Sequence, residues 1–456
     1  MRKNDIVRIE ITGMTNEGNG VGRFEGMAVF VPLTAIGDVI DCRIVKLAKS
    51  YCYGIIEQII TPSEHRCEAG CEAFTKCGGC AFRHFSYEEE LRVKLDFVRS
   101  SFERIGKLPL LPEEIIGSER VSHYRNKAQY PVAQQDGKAV CGFYSRRSHR
   151  VVPQHSCDLQ PEIFESIIGR IMGYINEENI PAYDEITGRG VLRHIYLRRG
   201  ENTHEIMLCL VVTSKTAAKA FEGLYSELAK EFPDIASIVL NINSKSTNAI
   251  LGREFITVYG KGTIDDIMCG RRITLSPASF YQVNTLQAQR LYQLAGEYAD
   301  IKEGEIVLDL YCGTGTIGLS LYKEGCRLIG ADIVPSSIEN AKKNAAQNGI
   351  DAEFICADAA KAADVFYERG ERPDVIIADP ARKGCDRATL ELMAKMEPKR
   401  IVMISCDHST AARDIAILRE LGYEMSKCAA VDMFARTAHV ECVSLMTRSG
   451  TTDING

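Results

Sequence analysis

The stretch Ile306-Val307-Leu308-Asp309-Leu310-Tyr311-Cys312-Gly313-Thr314-Gly315-Thr316-Ile317-Gly318 sets a short apolar run against a glycine turn and then a helix-like apolar run. A buried strand feeding a turn whose glycines admit a ligand close to the backbone is how a doubly wound α/β unit opens. Further apolar strands at Leu328–Ala331, Val375–Ala378 and Arg400–Ser405 alternate with amphipathic stretches. Residues 275–456 are therefore expected to form a parallel, Rossmann-like α/β domain whose ligands lie outside the carboxyl ends of the strands.

Taken literally the turn reads G-x-G-x-x-G, with Asp332 about 20 residues on, as a dinucleotide fold would have it. The residue that discriminates is Asp309. An acid just before the turn repels a pyrophosphate but can order a loop holding a cationic methionine moiety. This favours S-adenosylmethionine, with Asp309, Tyr311, Gly313 and Gly315 around the turn, Asp332 on the ribose hydroxyls and Asp358 on the adenine amino group. The plainer alternative is that these acids only cap helix N-termini.

At the N-terminus Val7, Ile9 and Ile11 alternate with Arg8 and Glu10, and short apolar runs recur to Ile60 between glycine-rich turns, so residues 1–62 read as an OB-like β-barrel. Residues 63–274 read as an α+β domain that opens with a cysteine-rich loop at 63–84. Ser86 and Glu89 form a candidate capping box for a helix with Leu91, Leu95, Val98 and Phe102 on one face, ended by Gly106. Later signals are a helix near Ile163 to Glu177 and strands at Ile206–Val212 and Ile238–Ile242.

The chain has 456 residues, 25% of them charged and 45% apolar, which fits two or three packed cores. Its net charge of −6 excludes a uniformly basic nucleic-acid coat, so any such contact is local. One segment qualifies. Between Arg120 and His155, Arg120, Arg125, Lys127, Lys138, Arg146, Arg147 and Arg150 face a single acid, Asp136, and Tyr124, Tyr130, Phe143 and Tyr144 interleave with them. Cations with aromatic rings suit looped or single-stranded RNA. No run reaches the roughly 18 apolar residues of a membrane helix, so a cytoplasmic protein is expected, with no membrane and no obligate protein partner.

Two strand ends carry unusual residues: Asp379-Pro-Ala-Arg382 and Ser405-Cys406-Asp407. Together with Phe280-Tyr-Gln282-Val-Asn284 and Asp432-Met-Phe434-Ala-Arg-Thr437-Ala-His439-Val-Glu441, they resemble the RNA uracil-C5 methyltransferases over nearly the whole chain. The N-terminal barrel is similar to a TRAM domain. The cysteine loop is similar to that of iron-sulfur members acting on 23S ribosomal RNA. The resemblance implies that Cys406 is a nucleophile, Glu441 a base, and that Asp379 and Gln282 position uracil or cofactor, with Phe280 lining the pocket. Such residues are needed because carbon 5 of uracil is a poor nucleophile until a thiolate adds at carbon 6, and a base must then remove the carbon 5 proton. His439 lies two residues before Glu441 in a strand pattern, so it either holds that base or fills the wall. Ala435 replaces a frequent proline, and Asp407-His408 a frequent Asn-Pro.

Seventeen cysteines without a secretory signal do not suggest a disulfide scaffold. Cys71-x5-Cys77-Gly-Gly-Cys80 places three thiols within ten residues, and Cys157 matches the fourth cysteine of the resembled family. The family implies a 4Fe-4S cluster, while spacing alone suits zinc equally. Cys67 lies outside the pattern. The expected reaction is methylation of a uridine in RNA, large-subunit ribosomal RNA first and transfer RNA as its neighbour. An iron-sulfur oxidoreductase and a noncatalytic RNA assembly factor remain as other classes.

Overall fold

A computed structural model describes residues 1–449. Strands Ile6–Met14, Asn19–Phe24, Met27–Pro32, Val39–Leu47 and Tyr51–Thr61 close into a five-stranded barrel. The period-two alternation turns Val7, Ile9 and Ile11 inward against Val29, Ile40 and Cys42. Burying each such aliphatic side chain contributes about 1.5–3 kcal/mol, which lets so short a segment hold its own core.

The central sheet has seven strands in the spatial order Glu254–Gly260, Ile235–Ile242, Ile206–Val212, Leu192–Arg199, Lys127–Gln135, Lys138–Tyr144, Val151–Pro153. Ile206–Val212 is buried at every position, because both faces of the sheet are covered. Helices Glu162–Glu177 and Glu222–Glu231 pack on one face. On the other, Tyr196, Met207, Cys209 and Val239 merge with Tyr281, Tyr292 and Val307 into one continuous core, so this sheet and the C-terminal sheet are joined by apolar packing.

The C-terminal sheet runs Ala352–Cys356, Arg327–Asp332, Ile306–Leu310, Val375–Ala378, Arg400–Ser405, Glu441–Arg448, Tyr423–Val431, Ile115–Ile116. The first five strands are parallel, and the strand order reverses direction between Ile306–Leu310 and Val375–Ala378. That switch point opens a crevice at the strands' carboxyl ends. Glu441–Arg448 then runs antiparallel to Arg400–Ser405.

Helix Tyr87–Arg104 is capped by Ser86, whose side chain accepts from the Glu89 amide, but the Glu89 carboxylate pairs with Arg92, so only half of the expected capping box forms. Leu91 and Leu95 are only partly buried; the covered residues are Glu89, Glu90, Val93, Lys94, Phe97, Val98, Ser101 and Phe102, two acids and a lysine among them. This helix packs on His408–Glu420, and Ile115–Ile116 pairs with the sheet edge. Among the described residues no helix is long and apolar enough to cross a membrane.

Candidate active site

At the switch point Asp309 is buried under the glycine turn. Its Oδ2 accepts the Gly318 amide at 2.9 Å, and a Cβ at residue 318 would lie 2.8 Å from that oxygen, so only glycine permits the contact. Asp309 Oδ1 is buried without a hydrogen-bond partner. Burial, and then the charges of Asp379 and Asp332, push its pKa up to about 8 against the pull of the Gly318 amide. Gly315 begins the following helix at φ 80°, and nothing stands within 4 Å of where a Cβ of Gly313 would be. Asp332 accepts the Gly313 amide (3.0 Å) and the Val334 amide (2.8 Å), which aims its remaining lone pairs. An unmatched carboxylate oxygen, an open glycine face and an oriented second acid fit a ligand carrying positive charge and hydroxyl donors, as S-adenosylmethionine does.

The remaining cofactor candidates are placed less directly. Tyr311 takes φ 67°, and its hydroxyl lies beside Cys385 and Thr389, so it contributes turn backbone rather than a ring to the glycine face. Asp358 caps helix Ala359–Glu368 by accepting the Lys361 amide (3.0 Å) and pairs with the Lys361 ammonium (3.5 Å), which is the capping role. Gln282 is buried, and its carbonyl accepts from Asn126; Phe280 stands 63% exposed.

The reactive pair is set by sheet register. Ser405 faces Cys442 across the antiparallel ladder; Cys406 follows directly on the end of one strand and Glu441 begins the other, close enough that Glu441 raises the Cys406 pKa. Glu441 is buried, and burial followed by repulsion from Asp379 pushes its pKa up to about 8, with Arg382 opposing. Burial alone pushes Asp379 to about 7. Cys406 is pushed to about 11, by burial first and then by Glu441 and Asp379, with Arg382 opposing. It also precedes the cap of helix His408–Glu420, whose N-terminal field favours a thiolate.

Both local departures from the family pattern have structural work. Asp407 caps that helix through the Ser409 and Thr410 amides, while His408 bonds Ser101 at 2.7 Å and stacks on Phe97. The Ala435 carbonyl accepts the Tyr124 hydroxyl. The strand begins at Glu441, so His439 precedes it rather than sharing its face; the His439 ring meets Arg382 (3.4 Å) and the edge of Phe434.

Sequence reasoning missed a clamp on this loop. Lys94 Nζ, fully buried, donates to Glu90 and Asp432 (both 2.7 Å) and to the Phe434 carbonyl (3.1 Å). Glu90 also accepts the Arg436 amide, and Tyr87 donates to Asp432. Removing one member of such a buried network costs about 3–5 kcal/mol. The only available signal was a Glu-to-Lys spacing of four on a helix face, which ordinarily marks an exposed pair.

Cys406, His439 and Arg382 open onto a cleft of about 910 Å3 whose far walls are the barrel (Tyr53), the cysteine loop (Gly79) and Arg146. Beside it Cys71, Cys77, Cys80 and Cys157 line one cavity of about 130 Å3 with Phe74 and Leu159. Burial pushes the Cys80 thiol to about 12, with repulsion from Cys157 and Cys77 adding and Arg83 and Arg125 opposing, and burial likewise raises Cys77 and Cys157. Among the described residues no three His, Cys, Asp or Glu side chains converge to hold a metal ion. Cys67 is exposed, with its thiol toward the Arg83 carbonyl.

Residues 86–449 match the sequence profile of the tRNA (uracil-5-)-methyltransferases, and residues 2–56 that of the TRAM domain. A protein of Clostridium tetani described as an uncharacterized RNA methyltransferase is 41% identical over 451 residues, 99% of this chain and 98% of that one. A similarly described protein of Oceanobacillus iheyensis is 40% identical over 98% of this chain and 97% of its own. Among solved structures, the Pyrococcus abyssi tRNA (uracil-54, C5)-methyltransferase in complex with S-adenosyl-L-homocysteine aligns with a TM-score of 0.77 at 26% identity, covering 96% of this chain and 99% of that one.

Proposed function

The chain belongs to the tRNA (uracil-5-)-methyltransferase family and carries a TRAM domain, and on that premise we propose that it methylates carbon 5 of a uridine in 23S ribosomal RNA through a covalent Cys406 adduct. The observation that carries this reading is a thiol that opens onto the cleft with a buried carboxyl close enough to raise its pKa.

Cys406 forms the bond from Sγ to carbon 6 as its proton passes to a neighbouring carboxylate, and Asp379, near 7, is the group whose acidity suits that transfer. The displaced π electrons collect at carbon 5 and oxygen 4. S-adenosylmethionine, when bound, would supply an electrophilic methyl, which carbon 5 takes as the methyl–sulfur bond breaks and neutral S-adenosylhomocysteine is left. Glu441, whose carboxylate form is favoured by the neighbouring Arg382, then takes the proton from carbon 5. The Sγ to carbon 6 bond then breaks, the ring double bond returns, and Cys406 recovers its proton. Asp309 and Asp332 position the cofactor, and Arg382 offsets the negative charge of the site.

The four cysteines, which line one cavity, would hold a 4Fe-4S cluster, with zinc as the alternative. Each thiolate of a cluster binds its own iron, whereas zinc requires four sulfurs to converge within about 2.3 Å of one ion. Bound between residues 71–80 and Cys157, the cluster would tie the loop to the central sheet. Anaerobically purified protein is expected to carry about four irons per chain, lost in Cys77→Ala. Stoichiometric zinc without iron would reverse the assignment.

Transfer RNA is the second reading. The archaeal enzyme that acts on tRNA aligns over 96% of this chain, so the barrel does not separate the two substrates, and the ribosomal preference rests on the cysteines. Labelled methyl transfer to purified RNAs, with mass-spectrometric mapping of methyluridine in cells lacking the protein, tests both. Label in 23S RNA is expected. Label confined to tRNA moves the substrate, and no label in any RNA refutes the proposal.

A further inference from the structure

The turn at residues 145–150 joins strands Lys138–Tyr144 and Val151–Pro153 and separates two cavities. Arg146 and Arg147 line the catalytic cleft. His149 and Arg150 instead line a second cavity of about 850 Å3 on the central sheet. That volume is within the range of about 300–1,000 Å3 typical of ligand sites.

The second cavity presents rings and cations. Tyr144 and His149 stack with centroids 5.2 Å apart, and the Arg193 guanidinium lies 4.4 Å over the Tyr183 ring. Its two acids are engaged: Glu185 meets His149 at 3.2 Å, and Asp184 accepts the Ile186 and Thr187 amides. Lys76 and Arg150 are exposed and form no ion pair among the described residues. His194, only 5% exposed, lines the wall with a buried Nδ1 that has no partner, and Arg193 Nε is likewise unmatched. A site with stacking faces, free cations and unsatisfied polar atoms is built for a base joined to phosphates.

We propose that this cavity is a second nucleotide site, which takes an unpaired base of the same RNA strand whose uridine enters the catalytic cleft. The strand crosses the 145–150 turn, with Arg146 and Arg147 on its phosphates on one side and Arg150 and Lys76 on the other. The inference rests on the RNA-methyltransferase reading.

The test uses full-length protein and two transcripts that the wild type methylates, one ending close to the target uridine and one extended on either side by about six unpaired nucleotides. Tyr183→Ala and Arg150→Gln are each expected to raise the KM for the extended RNA roughly tenfold and leave kcat unchanged. Both should match the wild type on the short RNA and in affinity for S-adenosylhomocysteine. Ultraviolet crosslinking of the extension is expected to mark the peptides holding Tyr144 or Tyr183. Unchanged KM on the extended RNA, or equal losses on both transcripts, overturns the proposal. Arg150 is exposed, so its variant reads out even if Tyr183→Ala fails to fold. Failure of the wild type to methylate any transcript would instead refute the parent reading.

Discussion

Cys406→Ser is expected to lower methyl transfer by roughly 10^4-fold or more, the scale on which covalent enzymes lose activity without their nucleophile. The replacement keeps volume and hydrogen-bonding capacity, so folding and S-adenosylhomocysteine affinity should persist, as read by thermal melting and calorimetry. The loss is chemical. Even the thiol is pushed up to about 11 in the resting site, so a hydroxyl in the same surroundings has no route to an anion near neutral pH. Activity within tenfold of the wild type would dispose of the covalent mechanism.

Glu441→Gln is expected to trap the reaction after methyl transfer. The amide cannot take the carbon 5 proton, so a protein-RNA band that survives denaturing electrophoresis should accumulate while turnover falls roughly 10^2- to 10^4-fold. Absence of the band would remove Glu441 from its role. The same variant has a signature in the free protein. Glu441 and Asp309 (both near 8) and Asp379 (near 7) hold protons in the folded chain at pH values where the unfolded chain, with carboxyls at 3.8 to 4.5, has lost them. Their contribution to stability is complete below the unfolded values and is lost as pH rises through the folded ones. The melting temperature should therefore decline from about pH 4 toward 8, and less steeply in Glu441→Gln.

The parallel strands were legible because both faces of that sheet are covered: Val375–Ala378 is uniformly apolar, and the structure places the strand there. Val7, Ile9 and Ile11 were legible for the opposite reason, since a barrel buries one face only. Ile115–Ile116 was not legible, because two residues carry no periodicity and their pairing is decided by the partner strand. Lys94 was invisible for a related reason. Its burial depends on Asp432, which lies 338 residues away in sequence, and local pattern holds no record of that partner. For the site, chemistry-bearing residues at strand ends were found, whereas the roles of Arg382 and His439 depend on which loops meet. Asp358 shows the converse, a motif residue whose visible task is an ordinary helix cap.

Glu441 begins one strand and Cys406 follows directly on the end of its neighbour, so a slip of one residue in the ladder would pull the two apart. Their spacing is thus a fixed property of the scaffold. The barrel, the cysteine loop and the 145–150 turn can accumulate insertions and charge changes without disturbing it. Target choice is accordingly free to diverge among descendants while the bond-making step is inherited intact.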